Sequence, residues 1–351
     1  MRILQLYEAD NIGVVGSRVC PLHMAKTATV RKEVNGTCCL TATIPSGAAF
    51  ENEIKTGRAI KATVNEAGDE QYFIVKKKTR NLRDGFTIYA EHQHYYYNGV
   101  IIRAGAENLG GYAQVVFNAL RSYALPDITA ISNWTYSRDA NLTGNFAGRA
   151  TPQKLGPLLK GWMIEAAGGE LIFDGFNVEW VDQMGSDNGA TYRYGANITG
   201  LETEDVIDDY CSGIYPFWGQ YGDPNRPLTE IQNRFLEFSG SYPLRVIMPL
   251  DLTATFNQQP SQAELLAAAQ EWASINAPTG VPLSIKAERA RIQSNVPVDL
   301  GDTVTVTNTG WGLSQKTRVF ALDFDAIKGI VERVELGTVN PGFAGAVKNM
   351  K

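Results

Sequence analysis

Hydrophobic and polar residues alternate most regularly near the C-terminal end of the chain. Gly301-Asp302 turns it into Thr303-Val304-Thr305-Val306-Thr307, where Val and Thr follow each other with period two. This is the pattern of a β-strand with one buried and one wet face. A Gly-rich break at 308–312 leads to a second run at 316–324, and a turn at 325–329 leads to a third at 330–336. The spacing predicts three strands joined by short turns, an antiparallel meander of the kind that builds small barrels.

A second copy of the pattern lies near the N-terminus. Gly57, Gly68 and Gly85 have the same mutual spacing as Gly301, Gly312 and Gly329. Superposed without gaps, the two segments also match Thr63 with Thr307, Gln71 with Gln315, Val75 with Val319 and Glu91 with Glu335. Each glycine falls where a strand starts or a hairpin turns, positions that favour a residue without Cβ. The expectation is that 57–92 and 301–337 share one fold, as two related barrel modules with something different between them.

The remaining segments are less repetitive. Strands are expected at 2–7, 27–34 and 37–44, the last two joined by the hairpin signal Asn35-Gly36. Apolar spacing at Val115, Val116, Ala119 and Leu120 predicts a helix over 111–123. A second helix is predicted over 151–167, with Thr151 as N-cap, Pro152 at the first helical position and Gly168-Gly169 closing it. A hairpin follows over 170–181 around Asp174-Gly175. A third helix spans 261–276, capped by Ser261 with Glu264 three residues on.

Composition narrows the picture. The chain has 351 residues, room for more than one domain. Its 34 glycines and 15 prolines, beside abundant Thr, Val and Tyr, favour β-structure with many turns. A net charge of −5 argues against a dedicated nucleic-acid binder, which presents a basic face. Cys20, Cys38, Cys39 and Cys211 lack zinc-type or redox-type spacing and are read as free thiols. No stretch approaches the ~20 apolar residues of a membrane helix, so membrane insertion is not expected.

Candidate chemistry is sparse. His92-Gln93-His94 would put two imidazoles on one face of a strand, as in an H-x-H metal pair. The zinc peptidases that use such a pair also need an upstream H-x-x-x-D, and His23 is followed four residues on by Thr27. Neither H-E-x-x-H nor G-x-S-x-G occurs. His92 and His94 therefore stand as weak metal candidates, read first as strand histidines packed on tyrosines. The acidic residues Glu202, Glu204, Asp205, Asp208 and Asp209 lack the order of a calcium loop and suit a solvated or interface face. Lys76-Lys77-Lys78 with Arg80 and Arg83 reads as edge protection. Tyr95, Tyr96 and Tyr97 read as material for a subunit contact. No catalytic residue and no cofactor is assigned.

Four features, taken in order, resemble one family along nearly the whole chain. They are Tyr89-Ala90-Glu91-His92 through Tyr96; the segment 158–181 with Gly169-Glu170-Leu171-Ile172-Phe173-Asp174-Gly175; Tyr194-Gly195-Ala196-Asn197 leading to Tyr215-Pro216; and Leu300-Gly301-Asp302-Thr303-Val304-Thr305-Val306, answered by Arg318-Val319 and Glu335-Leu336-Gly337. The set resembles the prophage endopeptidase tail proteins, also called tail-associated lysin N-terminal modules. The resemblance implies a mainly β fold with α+β insertions and two related β-barrel domains, as in phage baseplate hub proteins, with three copies making a ring of six barrels. The domains expected are a first barrel over 1–98, an α+β middle domain over 99–197, a second barrel over 198–340 with a helical insertion at about 220–280, and a flexible tail over 341–351.

The function implied is a structural hub at the distal end of a phage or phage-like tail, a homotrimer located at the virion tail tip. Its partners would be a distal tail or tail tube protein, a tape measure protein and a receptor-binding or fibre protein, with genomic DNA passing through unbound. The rival is a peptidoglycan endopeptidase acting on the host cell wall. Many members carry a lytic extension, and the absence of one shortly after the second meander puts enzymatic activity in doubt.

Overall fold

The computed structural model describes residues 2–81, 85–103, 111–112, 120–137, 141–142, 152–164, 169–205, 211–239, 244–253, 255–256, 258–276, 283–289 and 296–337. Strands of four or more residues come in two groups. The first is β1 (Gln5–Ala9), β2 (Val15–Pro21), β3 (Thr27–Glu33), β4 (Cys38–Ile44), β5 (Ala59–Thr63), β6 (Glu70–Asn81) and β7 (Gly85–His92). The second begins with the hairpin β8 (Glu170–Asp174) and β9 (Asn177–Val181), then β10 (Ala190–Arg193), β11 (Ile198–Asp205), β12 (Gly213–Trp218) and β13 (Ile247–Asp251). Helix α1 (Gln262–Asn276) precedes β14 (Leu283–Arg289), β15 (Thr303–Asn308), β16 (Leu313–Asp325) and β17 (Ile330–Gly337).

Both meanders form where the glycine spacing puts them. β5-β6-β7 and β15-β16-β17 are antiparallel, and their first hairpins share a register. Ala59 pairs with Ile74 as Thr303 pairs with Arg318, and Thr63 with Glu70 as Thr307 with Ser314. Both long strands are also bulged at the matched place, between Val75 and Lys77 and between Val319 and Ala321. All six matched glycines have positive φ: Gly57 +87°, Gly68 +101°, Gly85 +96°, Gly301 +87°, Gly312 +63° and Gly329 +75°. The copies diverge at the last turn. Asn81 pairs with Gly85 but Asp325 with Ile330, which lengthens the second turn by one residue.

The architecture is mainly β with α+β insertions. Two related β-barrel domains, β1–β7 and β10, β11 with β14–β17, share one 13-stranded sheet. Its order is β11-β14-β17-β16-β3-β4-β7-β6-β5-β1-β2, with β15 pairing β16 and β10 running parallel to β15. The link is β16, whose first half pairs with β15 and whose second half pairs with β3. One hydrophobic core therefore runs through both barrels, from Leu6, Val30 and Phe73 to Val304, Phe324 and Leu336.

Two smaller cores lie apart. One gathers Tyr97, Leu120, Trp134, Leu158 and Trp180. The other packs Trp218 of β12 against Leu265 and Ala269 of α1. The α1 cap is as expected: Ser261 N–H donates to Glu264 Oε2 at 2.8 Å, and Glu264 N–H to Ser261 Oγ at 3.3 Å.

The helix expected over 151–167 forms differently. Gln153–Lys154 is a two-residue strand beside Ile101–Ile102, followed by a short α-turn, Leu155–Pro157, and a π-turn, Leu158–Met163. Leu155 N–H is taken by Val100 C=O at 2.9 Å, so the first turn cannot start at Thr151, which lies outside the described residues. Gly156 is pressed onto Asn98, whose Oδ1 would lie 2.0 Å from an added Cβ. Of the helix expected over 111–123, Gly111–Tyr112 is strand, 113–119 lie outside the described residues, and 120–122 are helical.

Candidate functional site

The reactive-looking side chains collect where the first barrel meets the hairpin β8-β9. The end of β7 delivers His92, and the 3-10 turn Gln93–Gly99 carries His94 and the three tyrosines. The β3-β4 turn is locked to the hairpin by Asn35, in left-handed conformation at φ 53°. Its amide donates to Gly169 C=O at 3.0 Å and its Oδ1 accepts from Leu171 N–H at 2.8 Å. A cleft of about 610 Å³ opens here, lined in part by Lys32, Asn35, Gln71, His92, His94 and Asp174.

Because β7 ends at His92, the two imidazoles are not neighbours on a strand face as expected. The turn folds His94 back, so that the two Nδ1 atoms lie 2.7 Å apart. Gln71 fixes the tautomers. Its Nε2 donates to Asp174 at 2.7 Å, so its Oε1 is the acceptor for His92 Nε2–H at 3.1 Å. His92 Nδ1 is then bare and accepts from His94 Nδ1–H. Two zinc ligands with bonds of about 2.0–2.1 Å at a tetrahedral angle would stand roughly 3.3 Å apart. The separation suits a hydrogen bond, and among the described residues no group of three or more His, Cys, Asp or Glu is placed to hold a metal ion.

Burial sets the charge state of this cluster. His92 and His94 are 2% and 3% exposed. Desolvation, aided by nearby cations, pushes His92 down to about 3 and His94 well below its ordinary value. Lys160 is pushed down to about 8 by burial, with its ammonium 2.7 Å from Gly36 C=O and 4.7 Å from the centre of the Tyr95 ring. Burial drives the Cys38 thiol up to about 12, so it is no thiolate at neutral pH. Neutral imidazoles and a protonated thiol, packed against the Lys160 ammonium and Tyr95, make this a polar joint.

Of the tyrosines expected at a subunit contact, Tyr97 is turned inward, while Tyr95 and Tyr96 are half-buried. Tyr97 is 1% exposed; its hydroxyl donates to Phe176 C=O and accepts from Trp134 Nε1–H at 3.3 Å. Tyr95 accepts from Cys38 N–H at 3.3 Å, and Tyr96 packs edge-on against Phe176. The 3-10 turn, at three residues per turn, swings Tyr97 into the joint beside Trp134 and leaves Tyr95 and Tyr96 partly exposed.

Sequence reasoning missed the tie between the hairpin and the second barrel. Arg318 of β16 meets Glu170 of β8 in a two-pronged ion pair, Nη1–Oε1 2.7 Å and Nη2–Oε2 2.9 Å. The guanidinium also donates to Gly301 C=O and Met184 C=O, both at 2.9 Å, and Met184 N–H donates to Glu170 at 2.7 Å. Asp302 completes the loop, accepting from Ser186 N–H and Asp299 N–H at 2.8 Å. The Leu-Gly-Asp spelling was the only signal. Gly301, at φ +87°, is required because a Cβ would lie 2.6 Å from the Met184 backbone oxygen.

The chain superposes along its whole length on known proteins. A prophage tail protein, gp18, from Listeria monocytogenes EGD-e matches with TM-score 0.61 and 10% identity, covering 100% of this chain and 98% of its own. The fold is that of a phage tail protein. A tail protein from Neisseria meningitidis MC58 matches with TM-score 0.61 and 12% identity over 98% of both chains. A tail protein of prophage MuSo2 from Shewanella oneidensis matches with TM-score 0.60 and 10% identity over 98% and 99%. No family model and no curated protein matches the sequence. No helix among the described residues is long and apolar enough to cross a membrane.

Proposed function

We propose that this chain is a structural hub of a phage or phage-like tail, acting as a homotrimer at the tail tip. The observation that carries the reading is the repeat: two meanders of matching register and bulge position in one chain with a tail-protein fold. Three such chains supply six near-equivalent barrels, which lets a three-fold ring sit on a six-fold tube. Residues 1–98 and 198–340 would form the ring. The middle segment expected over 99–197 gives its last strand, β10, to the second barrel; the rest of it and the insertion at about 220–280, each with a core of its own, would face neighbouring tail proteins.

The partners are a distal tail or tail tube protein on one side, with tape measure and receptor-binding or fibre proteins at the tip. DNA passes through the ring without being held, since each phosphate contact would add retention. The neutral, buried histidine joint gives the endopeptidase reading no support. Light scattering across a concentration series, with and without the distal tail protein, tests the assignment. A trimer is expected at high concentration or in the complex. A chain that stays monomeric in both, or a ring of another number, refutes it.

A further inference from the structure

The repeat leaves one strand junction made and its counterpart open. On one edge of β16, the first half pairs with β15 and the second half with β3, from Ala321↔Glu33 to Asp325↔Thr29. The changeover falls at the bulge, where Val34 N–H reaches Phe320 C=O at 2.8 Å. In the first barrel β6 repeats this design. Its first half pairs with β5, and its bulge lies at the matched position. Beyond the bulge, among the described residues, no strand pairs with that edge of 77–81.

The missing partner is identifiable by position. Beside β7 lies β4 and then β3; beside β17 lies β14 and then β11. β11 is thus the second barrel's counterpart of β3, and it ends the sheet, paired with β14 and, at Ile198 alone, bridged to Tyr194 among the described residues. Each chain therefore carries both halves of an unmade junction, on two different surfaces.

Charge says which edges belong together. In the made junction Arg31 and Lys32 of β3, beside Glu33, meet Asp323 and Asp325 in the second half of β16, whose first half carries Lys316 and Arg318; Arg31 lies 3.4 Å from Asp323. In the open one the signs are exchanged. β6 carries Lys76, Lys77, Lys78 and Arg80, and β11 carries Glu202, Glu204 and Asp205. Lys77, Arg80 and Glu202 are exposed. Arg80 also has a partner in its own chain, Glu51 at 3.0 Å, and Lys78 is turned to the carbonyls of Glu51 and Ile54. Crossing the edges wrongly, β6 on β3 or β16 on β11, would set like charges face to face, which is unfavourable.

We propose that residues 77–81 of β6 in one copy pair antiparallel with β11 of a second copy, repeating between chains the β16–β3 junction within each. The contact joins different surfaces of the two copies, so it propagates head to tail and closes when the rotation permits. It also covers the two strand edges that would otherwise template unwanted pairing. This rests on the ring assignment above and names the surface that forms it.

The test uses the full chain and two reversals, Lys77→Glu with Arg80→Glu and Glu202→Lys with Glu204→Lys. Each pair alone is expected to raise the concentration needed for half-assembly at least tenfold by analytical ultracentrifugation. All four together are expected to return it to within about threefold of the parent. As a second readout, Thr79→Cys with Glu202→Cys, which the β16–β3 register sets opposite each other, is expected to give disulfide-linked dimers and trimers under mild oxidation. If the parent is trimeric, reversals without effect and no cross-linking overturn this interface and leave the ring standing. A parent that is monomeric alone and with its tail partner overturns both.

Discussion

Removing either side of the Arg318–Glu170 pair measures how firmly the hairpin is fastened to the second barrel. Glu170 is 4% exposed, so its carboxylate depends on what the chain supplies. Arg318→Ala strips it of both guanidinium bonds and leaves Met184 N–H as the remaining donor among those described. Breaking a buried ion pair from one side costs about 3–5 kcal/mol. The Arg318 side chain is 25% exposed, so water relieves part of that, and about 2–4 kcal/mol is expected. Glu170→Ala leaves the guanidinium its two carbonyls and some water, for about 1.5–3 kcal/mol. Glu170→Gln keeps one oxygen, which can serve Met184 N–H and Arg318 Nη2 as Oε2 does, but turns an NH2 donor on Nη1, for about 1–2 kcal/mol. Urea unfolding followed by tryptophan fluorescence supplies the ranking, and the double-mutant cycle supplies the coupling. If Arg318→Ala stays within about 0.5 kcal/mol of the parent, or Glu170→Gln is the most damaging change, the tie is not structural.

Acid should loosen the histidine joint. The folded-state value of His92 is lowered to about 3, whereas the unfolded chain titrates near 6.5. Below about pH 6.5 the unfolded state binds a proton that the folded state refuses, so stability is full above that pH and falls by about 1.4 kcal/mol per pH unit towards 3. A loss of about 2 kcal/mol from pH 6.5 to 5 is expected, with His94 acting in the same direction, and His92→Gln should flatten the profile; a flat parent profile would sink the reading. Alanine scanning of the turn glycines should separate strain from crowding. Gly85→Ala places Cβ 2.1 Å from Ile44 C=O at φ +96° and should lower stability by more than about 3 kcal/mol. Gly57→Ala, at φ +87° with nothing within 4 Å of its Cβ, should cost about 1–2 kcal/mol, and equal melting shifts for the two would count against the packing at Gly85.

The sequence alone determined the local architecture. Alternation over 303–307 and glycines at strand starts suffice for a meander, because strand pleat and positive φ are properties of a few consecutive residues. The same is true of the Asn35-Gly36 hairpin and the Ser261–Glu264 cap. What needed the tertiary structure is everything decided by which surface a segment meets. The register of β16 on β3 joins residues nearly three hundred positions apart, as the Arg31–Asp323 contact shows. Nothing local tells β16 to change partners at its bulge, or β10 to run parallel to β15. The His92–His94 pair and the burial of Tyr97 follow from a strand that stops one residue before it would have alternated them, because the joint with β8-β9 offered the apolar cover. The Glu170–Arg318 tie is likewise invisible in either neighbourhood, since two charges become partners only when the fold removes the water from between them.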